Sequence, residues 1–269
     1  MAALSPRLGI AALVTACRWQ RHSELESVAF ILNKQDKPLR KLGLIGGMSW
    51  ISTRTYYEQI NRIIQTRRNP HASAPMLIEN LDFTDLCGLS SSEDWDRAAR
   101  ILTAAALRLE VAGATALLIG ANSMHKVYDR VAAAVNIPIL HIADCVGERM
   151  ARDGARNAAL LGTSNVMTES FYRERLVAHG VDLLPPDLKV LETLDRIIYN
   201  QLTCGKVTRD AERTLKTIIT VKGQEGARAI VLAATELELV VDVDANVLPI
   251  YDGTRIHAEK GAAWILGED

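Results

Sequence analysis

Two short apolar runs, each ending in a turn of small and polar residues, constrain this chain more than any other feature. The first run, residues 116–119, leads into GANSMHK at residues 120–126, and the second, residues 229–232, leads into AATEL at residues 233–237. Continuous apolar runs of this length are typical of buried parallel strands. Ligands of open α/β sheets bind outside the carboxyl ends of the strands. The sequence therefore predicts a functional site at these two turns.

Strand-like runs alternate with helical patterns from residue 41 onward. Strands are predicted at residues 42–45, 76–80, 116–119, 137–141, 158–161 and 229–232, and helices at residues 53–67, 95–112 and 126–135. Such alternation predicts βαβ units and parallel sheets. Gly46-Gly47 precedes the first turn by about the same distance as Gly162-Thr163 precedes the second, which indicates a repeated unit. We therefore predict an α/β fold of two pseudo-symmetric Rossmann-like lobes with the site in the cleft between them.

Composition argues against several classes of function. The chain has 31 basic and 32 acidic residues and only 5% aromatic residues, which does not suit a nucleic-acid-binding surface. Its cysteines lack CxxC or metal-ligand spacing, so we interpret them as free thiols in the reducing cytoplasm. No apolar run is long enough to span a bilayer. No metal or cofactor motif is visible, so neither is expected.

The first forty residues stand apart from this pattern. An apolar stretch at residues 8–17 follows Arg7 and precedes a polar, basic run that ends at Arg40. A signal peptide has this general form, but the charged lead-in is thin and the cysteines indicate a reducing compartment. We therefore interpret residues 1–40 as an N-terminal extension that is disordered or derives from an early start codon.

A series of motifs extends from about residue 41 to the C-terminal region. They are GLIGGMSW at residues 43–50 with Ser52 and Thr53, NSMHK at 122–126, HIAD at 141–144, LLGT at 160–163, Met167 with Phe171-Tyr172, and Thr235-Glu236. With these motifs the chain resembles the aspartate/glutamate racemase family. The resemblance implies a homodimeric isomerase that acts on an amino acid without a cofactor. It also implies that the C-terminal segment crosses back to the first lobe, so residues 41–143 and 248–269 are assigned to that lobe and residues 144–247 to the second.

The chain departs from the family at the residues that carry the chemistry. Members place a cysteine at the end of each of two opposed strands, and we assign these positions to Gly120 and Ala234. One thiolate removes the α-proton and the opposite thiol returns a proton, which suits a group whose reference pKa is about 8.5. Glycine and alanine can do neither. The sequence therefore predicts a degenerate active site.

Polar residues that remain at the strand ends are predicted to hold a small carboxylate or amino acid. Backbone N–H groups of a glycine-rich turn and the donors near helix N-termini suit an anionic ligand. The alternatives are a tight connection for the glycine turn and plain N-capping for the polar residues. The predicted set is Gly47, Met48, Ser49, Asn122, Ser123, Thr163 and Thr235.

His125 and Glu236 are the titratable residues nearest the two altered positions, and each is a candidate acid or base. For His125 we favour the alternative of a helix-start residue that faces away from the ligand. For Glu236 we favour a role in binding. Glu79 and Asp82 are further candidates, with a surface role as the alternative, and Cys87 is interpreted as a spare thiol like the other cysteines.

Three functions remain open from the sequence. The first is an amino-acid racemase-like isomerase, against which the two missing thiols argue. The second is a cofactor-independent lyase, decarboxylase or isomerase for another carboxylic acid, because the superfamily includes arylmalonate decarboxylases that work with a single cysteine. The third is a non-catalytic paralogue that only binds a ligand. In each case the expected partner is a small carboxylate or amino acid, and neither a nucleic acid nor a membrane.

Overall fold

Parallel strands pair into two sheets with the same order in residues 38–268, the part of the chain that the structure, a computed structural model, describes. The strands are β1 (Leu42–Gly46), β2 (Met76–Asn80), β3 (Ala116–Ile119), β4 (Ile139–Leu140), β5 (Asn157–Gly162), β6 (Asp182–Leu183), β7 (Ile230–Ala233) and β8 (Ile250–Asp252). The first sheet has the order β2-β1-β3-β4 and the second β6-β5-β7-β8. This repetition confirms the predicted α/β fold with two pseudo-symmetric lobes. The interpretation of residues 1–40 falls almost wholly outside the described residues.

Helices cover the faces of both sheets. They are α1 (Trp50–Arg67), α2 (Ser92–Val111), α3 (Tyr128–Ala132), α4 (Ile142–Arg152), α5 (Ser164–Thr168), α6 (Ser170–Ala178), α7 (Leu188–Asn200), α8 (Arg209–Gln224) and α9 (Gly253–Leu266). Short 3₁₀ helices occur at Phe83–Asp85, Ser123–Val127, Leu202–Cys204 and Leu237–Leu239. Within the described residues, no helix combines the length and apolar character needed to cross a membrane.

Helix α2 shows how the sequence pattern produces the packing. Ser91 accepts a hydrogen bond from the backbone N–H of Asp94 and the Asp94 carboxylate accepts one from the N–H of Ser91, so the helix begins with a capping box. Its buried residues recur every three or four positions: Ala98, Ala99, Leu102, Ala105, Ala106 and Leu109. That face packs against Leu117 and Ile119 of β3. The opposite face of the first sheet packs against α1 and α9.

Two predicted elements next to the site are shorter than expected. The strand predicted at residues 137–141 is reduced to β4, because Pro138 has no N–H for the sheet ladder and residue 141 caps α4. The helix predicted at residues 126–135 is split into the 3₁₀ helix Ser123–Val127 and α3. The chain therefore turns tightly as soon as β3 ends.

The C-terminal segment contributes to both sheets. Strand β8 pairs with β7, with Tyr251 opposite Val231. Helix α9 instead packs its residues Ala258 and Ala262 in a cluster with Leu42 of β1. The assignment of the whole segment 248–269 to the first lobe is therefore wrong for β8, whose backbone completes the second sheet.

Candidate functional site

Residues that follow the carboxyl ends of β3 and β7 line one cavity of about 430 Å³. The loop at residues 83–89, the start of α2 and the end of α7 complete its wall. Parallel sheets present the carboxyl ends of their central strands at one edge, which explains why both turns reach the same space. The strand-end residues in the lining are Met48, Ala121, Asn122, Ser123, Met124, Thr163, Ala233, Ala234, Thr235 and Glu236.

Ala121, and not Gly120, borders this cavity. A Cβ atom built on Gly120 would meet the carbonyl oxygen of Ile45 at 3.1 Å and the side chain of Leu44 at 3.3 Å, so this position faces the sheet. Because a shift of one residue in a strand moves a side chain to the opposite face, the two positions are not interchangeable. The assignment of Gly120 is therefore wrong. The two small side chains that border the cavity from the two turns are those of Ala121 and Ala234.

Asn122 has an unusual environment for a buried amide. It is 3% exposed, and within the described residues neither its Oδ1 nor its Nδ2 has a hydrogen-bond partner. Leaving a buried polar group unsatisfied costs about 1–3 kcal/mol, so most such groups are paired with protein or water. Because Asn122 also lines the cavity, its amide can donate to and accept from an occupant of that cavity.

Glu236 is buried but fully hydrogen-bonded. Its Oε1 accepts from the Ser49 hydroxyl at 2.9 Å and from the Ser49 backbone N–H at 3.4 Å, and its Oε2 accepts from the Thr235 hydroxyl at 3.0 Å. Burial raises the pKa of the Glu236 carboxyl, and the bonds from Ser49 and Thr235 oppose that rise. Glu236 therefore joins the turn after β7 to the start of α1.

The glycine-rich turn after β1 binds groups of the chain itself. Gly47 donates its N–H to Thr53 Oγ1 at 2.7 Å, and Ser49 donates to Glu236. Gly47 has φ +86°, and a Cβ there would lie 2.1 Å from the carbonyl oxygen of Leu81. Neither Gly47 nor Ser49 lines the 430 Å³ cavity, although Met48 does. Their donors serve Thr53 and Glu236 in this structure, and both residues line a neighbouring cavity, so a role of Gly47 and Ser49 in holding a ligand carboxylate stays a prediction.

His125 is held as a neutral structural residue. Its Nδ1 donates to the carbonyl of Ala121 at 3.0 Å, and its Nε2 accepts from the backbone N–H of Ile142 at 3.3 Å. Burial lowers the pKa of His125 to about 3. The residue does not line the cavity. Both ring nitrogens are engaged within the chain, which matches the alternative of a helix-start residue that faces away from a ligand; the acid or base role of His125 stays a prediction.

Glu79 and Asp82 also lie outside the 430 Å³ cavity. Glu79 forms an ion pair with Arg108 at 2.7 Å, and Asp82 caps the 3₁₀ helix Phe83–Asp85 by accepting from the N–H of Thr84 at 2.9 Å. Both residues match the surface alternative. Within residues 38–268, no group of three or more His, Cys, Asp or Glu side chains could hold a metal ion.

Several lining residues were missed or misinterpreted from the sequence, Tyr199 and Cys87 among them. Tyr199, near the end of α7, lines the cavity together with Thr163, and burial raises the pKa of the Tyr199 hydroxyl to about 12. Cys87, interpreted as a spare thiol, lines the same cavity. Among the described thiols it is alone there, because Cys145 is buried in α4 and Cys204 borders only a neighbouring cavity.

Comparisons with known proteins agree with this architecture. The profile of the Asp/Glu/hydantoin racemase family matches residues 45–261. A broad specificity amino-acid racemase of Bacillus subtilis is 24% identical over 175 residues, which cover 64% of this chain and 74% of that protein. The structure of a proposed Asp/Glu racemase from Yersinia pestis is 36% identical with a TM-score of 0.77, covering 85% of this chain and all of that one.

The structure of an aspartate racemase homologue from Pyrococcus horikoshii is also similar, with 30% identity, a TM-score of 0.73, and coverage of 86% of this chain and 100% of its own. The family profile spans well over half of the sequence, and the strand-end turns lie within the matched region. This chain therefore belongs to the Asp/Glu/hydantoin racemase family.

Proposed function

We propose that this protein binds a small amino acid or carboxylate in the 430 Å³ cavity and does not racemise it by exchange between two thiols. The observation that carries the binding is the Asn122 amide, which is buried, lines the cavity and has no partner among the described residues. A ligand carboxylate or amino group would supply the missing partners. The cavity volume lies in the range usual for small-molecule sites, about 300–1,000 Å³.

The absence of two-thiol chemistry follows from the side chains of Ala121 and Ala234. In the family that the motifs resemble, a cysteine stands on each side of the ligand, and a methyl group cannot accept or return a proton. General acid–base catalysis normally contributes about 10²–10⁴-fold. Glu236 is a carboxyl group in the lining next to Ala234 in the same turn, but both of its oxygens are held by Ser49 and Thr235. Glu236 is therefore better suited to positioning a ligand than to transferring a proton.

Restoring the thiols tests this proposal. The double variant Ala121→Cys, Ala234→Cys is expected to exchange the α-hydrogen of an amino acid in D₂O at a rate at least about 10²-fold above the unmodified protein. Each single variant is a control that lacks one half of the pair. The variant Gly120→Cys, Ala234→Cys is the geometric control and should stay inactive. Racemisation by the unmodified protein at a rate equal to that of the double variant would contradict the proposal.

A second candidate function is a lyase or decarboxylase that uses one thiol, and Cys87 favours it because that thiol lines the cavity. The test is loss of CO₂ from a panel of carboxylic acids, measured by mass spectrometry. Cys87→Ser should abolish that loss, whereas Cys204→Ser should leave it unchanged. A third outcome would favour a non-catalytic paralogue. In that case the unmodified protein binds a ligand, and neither deuterium exchange nor loss of CO₂ is detected except for exchange by the variant with both cysteines restored.

A further inference from the structure

One wall of the cavity is apolar and comes almost wholly from the first half of the chain. Its residues are Met48, Phe83, Leu86, Leu89, Trp95 and Met124. Leu86 is 2% exposed and packs in the same apolar cluster as α2, so this wall is anchored to the core. The polar lining groups lie at the strand-end turns and at Ser164, Asn165, Asp195, Tyr199 and Thr203. A ligand that fills the cavity therefore meets hydrocarbon with one part and hydrogen-bonding groups with another.

The charged side chains that line the cavity directly are acidic. Asp195 and Glu236 line it, whereas no lysine or arginine of the described residues does. Lys126 is the basic residue that follows the first turn in the sequence. Its ammonium pairs with Glu169 at 2.7 Å and lies 4.5 Å from the ring centroid of Trp95. Its charge is therefore already compensated.

These two observations discriminate between classes of amino acid. The side-chain carboxylate of aspartate or glutamate would be moved out of water against hydrocarbon, beside two carboxyl groups and without a paired cation. Burying an unpaired charge is strongly unfavourable. An apolar side chain gains free energy from the same wall, at about 25 cal/mol per Å² of buried apolar surface. An α-amino group is attracted by the carboxyl groups that would repel a second acid.

From these contacts we infer that the ligand is an α-amino acid with an apolar, uncharged side chain, and not aspartate or glutamate. The inference rests on the proposed function, because it assumes that the 430 Å³ cavity holds an amino acid. The α-carboxylate is held at the strand-end turns, where Asn122 offers an unpaired donor, the amino group faces Asp195 and Glu236, and the side chain contacts the wall around Leu89 and Trp95.

Protection of Cys87 from alkylation tests the inference on the unmodified full-length chain. Cys87 is exposed and lines the cavity, whereas Cys204 is exposed and borders only the neighbouring cavity, so Cys204 is an internal control. L- and D-leucine, methionine and phenylalanine should slow the labelling of Cys87 alone, measured on its peptide by mass spectrometry. Half-protection by aspartate or glutamate should require at least about tenfold more ligand. 4-Methylpentanoate, which is leucine without its amino group, should bind more weakly than leucine.

A charge insertion supplies the second measurement. Leu89→Arg places a cation in the apolar wall and is expected to narrow or reverse the tenfold preference, as measured by calorimetric titration of leucine and glutamate. Val111→Arg makes the same change of charge at a residue that is 88% exposed at the end of α2, and it should keep the preference. Thermal unfolding of both variants checks that they are folded.

The outcomes separate the inference from the proposed function. Preferential protection by aspartate or glutamate overturns the inference and leaves the proposed function standing. Equal binding of leucine and 4-methylpentanoate overturns the role given to the amino group. Protection of both thiols overturns the location, because the ligand would then occupy the neighbouring cavity. Absence of protection and of calorimetric binding by every compound in the panel overturns both proposals.

Discussion

The turns after β3 and β7 occupy equivalent places in two sheets of the same order, yet they use their polar atoms differently. In the first turn the Asn122 amide lacks a partner in the described chain, whereas in the second the Glu236 carboxylate accepts three hydrogen bonds. Two of those bonds come from Ser49, which belongs to the other half of the fold. The backbone repeats between the halves, and the chemistry does not. One turn leaves groups for a ligand and the other holds the two halves together.

The comparison extends to a titratable residue in the short 3₁₀ helix that follows each turn. Ile119 of β3 and Leu232 of β7 hold equivalent places in the two sheets. His125 follows Ile119 by the same number of residues as Glu238 follows Leu232. Burial lowers the pKa of His125 to about 3, and burial together with the charge of Asp252 raises the pKa of Glu238 to about 8. Burial therefore favours the neutral form of both groups, by lowering the pKa of the base His125 and raising the pKa of the acid Glu238.

The largest expected effect is the loss of the bond that joins the halves. Ser49→Ala removes the hydroxyl that Glu236 accepts and should lower the free energy of unfolding by about 1.5–3 kcal/mol, because hydrogen bonds to charged groups are worth that much. Ser52→Ala is the matched control, since Ser52 is equally buried but donates to the carbonyl of Ser49. Ser52→Ala should lower the free energy of unfolding by about 0.5–1.5 kcal/mol. Urea denaturation measures both, and equal costs would show that Glu236 does not join the halves.

The pH dependence of stability provides the second test. His125, with a pKa lowered from 6.5, contributes stability above pH 6.5 that is lost as the pH falls toward 3. Glu238, with a pKa raised from 4.5, contributes stability below pH 4.5 that is lost as the pH rises through about 8. Each turn therefore limits stability at a different end of the pH range.

Glu238→Gln should accordingly make the protein more stable than the wild type at pH 9 by about 1 kcal/mol or more, with a smaller difference at pH 6. Urea denaturation at the two pH values measures the change. Glu192→Gln, at an exposed residue of α7, should show the same difference from the wild type at both pH values. A gain from Glu238→Gln that did not depend on pH would contradict the assignment.

The smallest effect on stability is expected at Asn122. Asn122→Leu replaces an amide without partners by an apolar group of similar size, so the free energy of unfolding should stay within about 1 kcal/mol of the wild type or rise. Ligand binding should nevertheless weaken at least tenfold, as measured by calorimetric titration. A loss of stability as large as that of Ser49→Ala would mean that Asn122 is a structural residue, and the contrast between the turns would fail.

Much of the fold could be predicted from local patterns. The bounds of β2 and β3 agree with the predicted residues 76–80 and 116–119, because buried apolar runs carry a signal over their whole length. Strands β6 and β8 were missed, since two or three residues show no period and depend on pairing with β5 and β7. A cavity lies at the two predicted turns, but on the first turn Ala121 borders it where Gly120 was expected.

The amino-acid sequence alone determined the family, the repeated α/β unit and the turns at which polar residues gather, because apolar runs and turn residues act over a few neighbouring positions. Only the tertiary structure decided which side chains border the cavity and which of them are already engaged. Ser49 and Glu236 are 187 positions apart, and the hydrogen bond between them exists because the two sheets bring their turns together. Burial, which sets the pKa of His125 and leaves Asn122 without a partner, is likewise a property of the assembled fold.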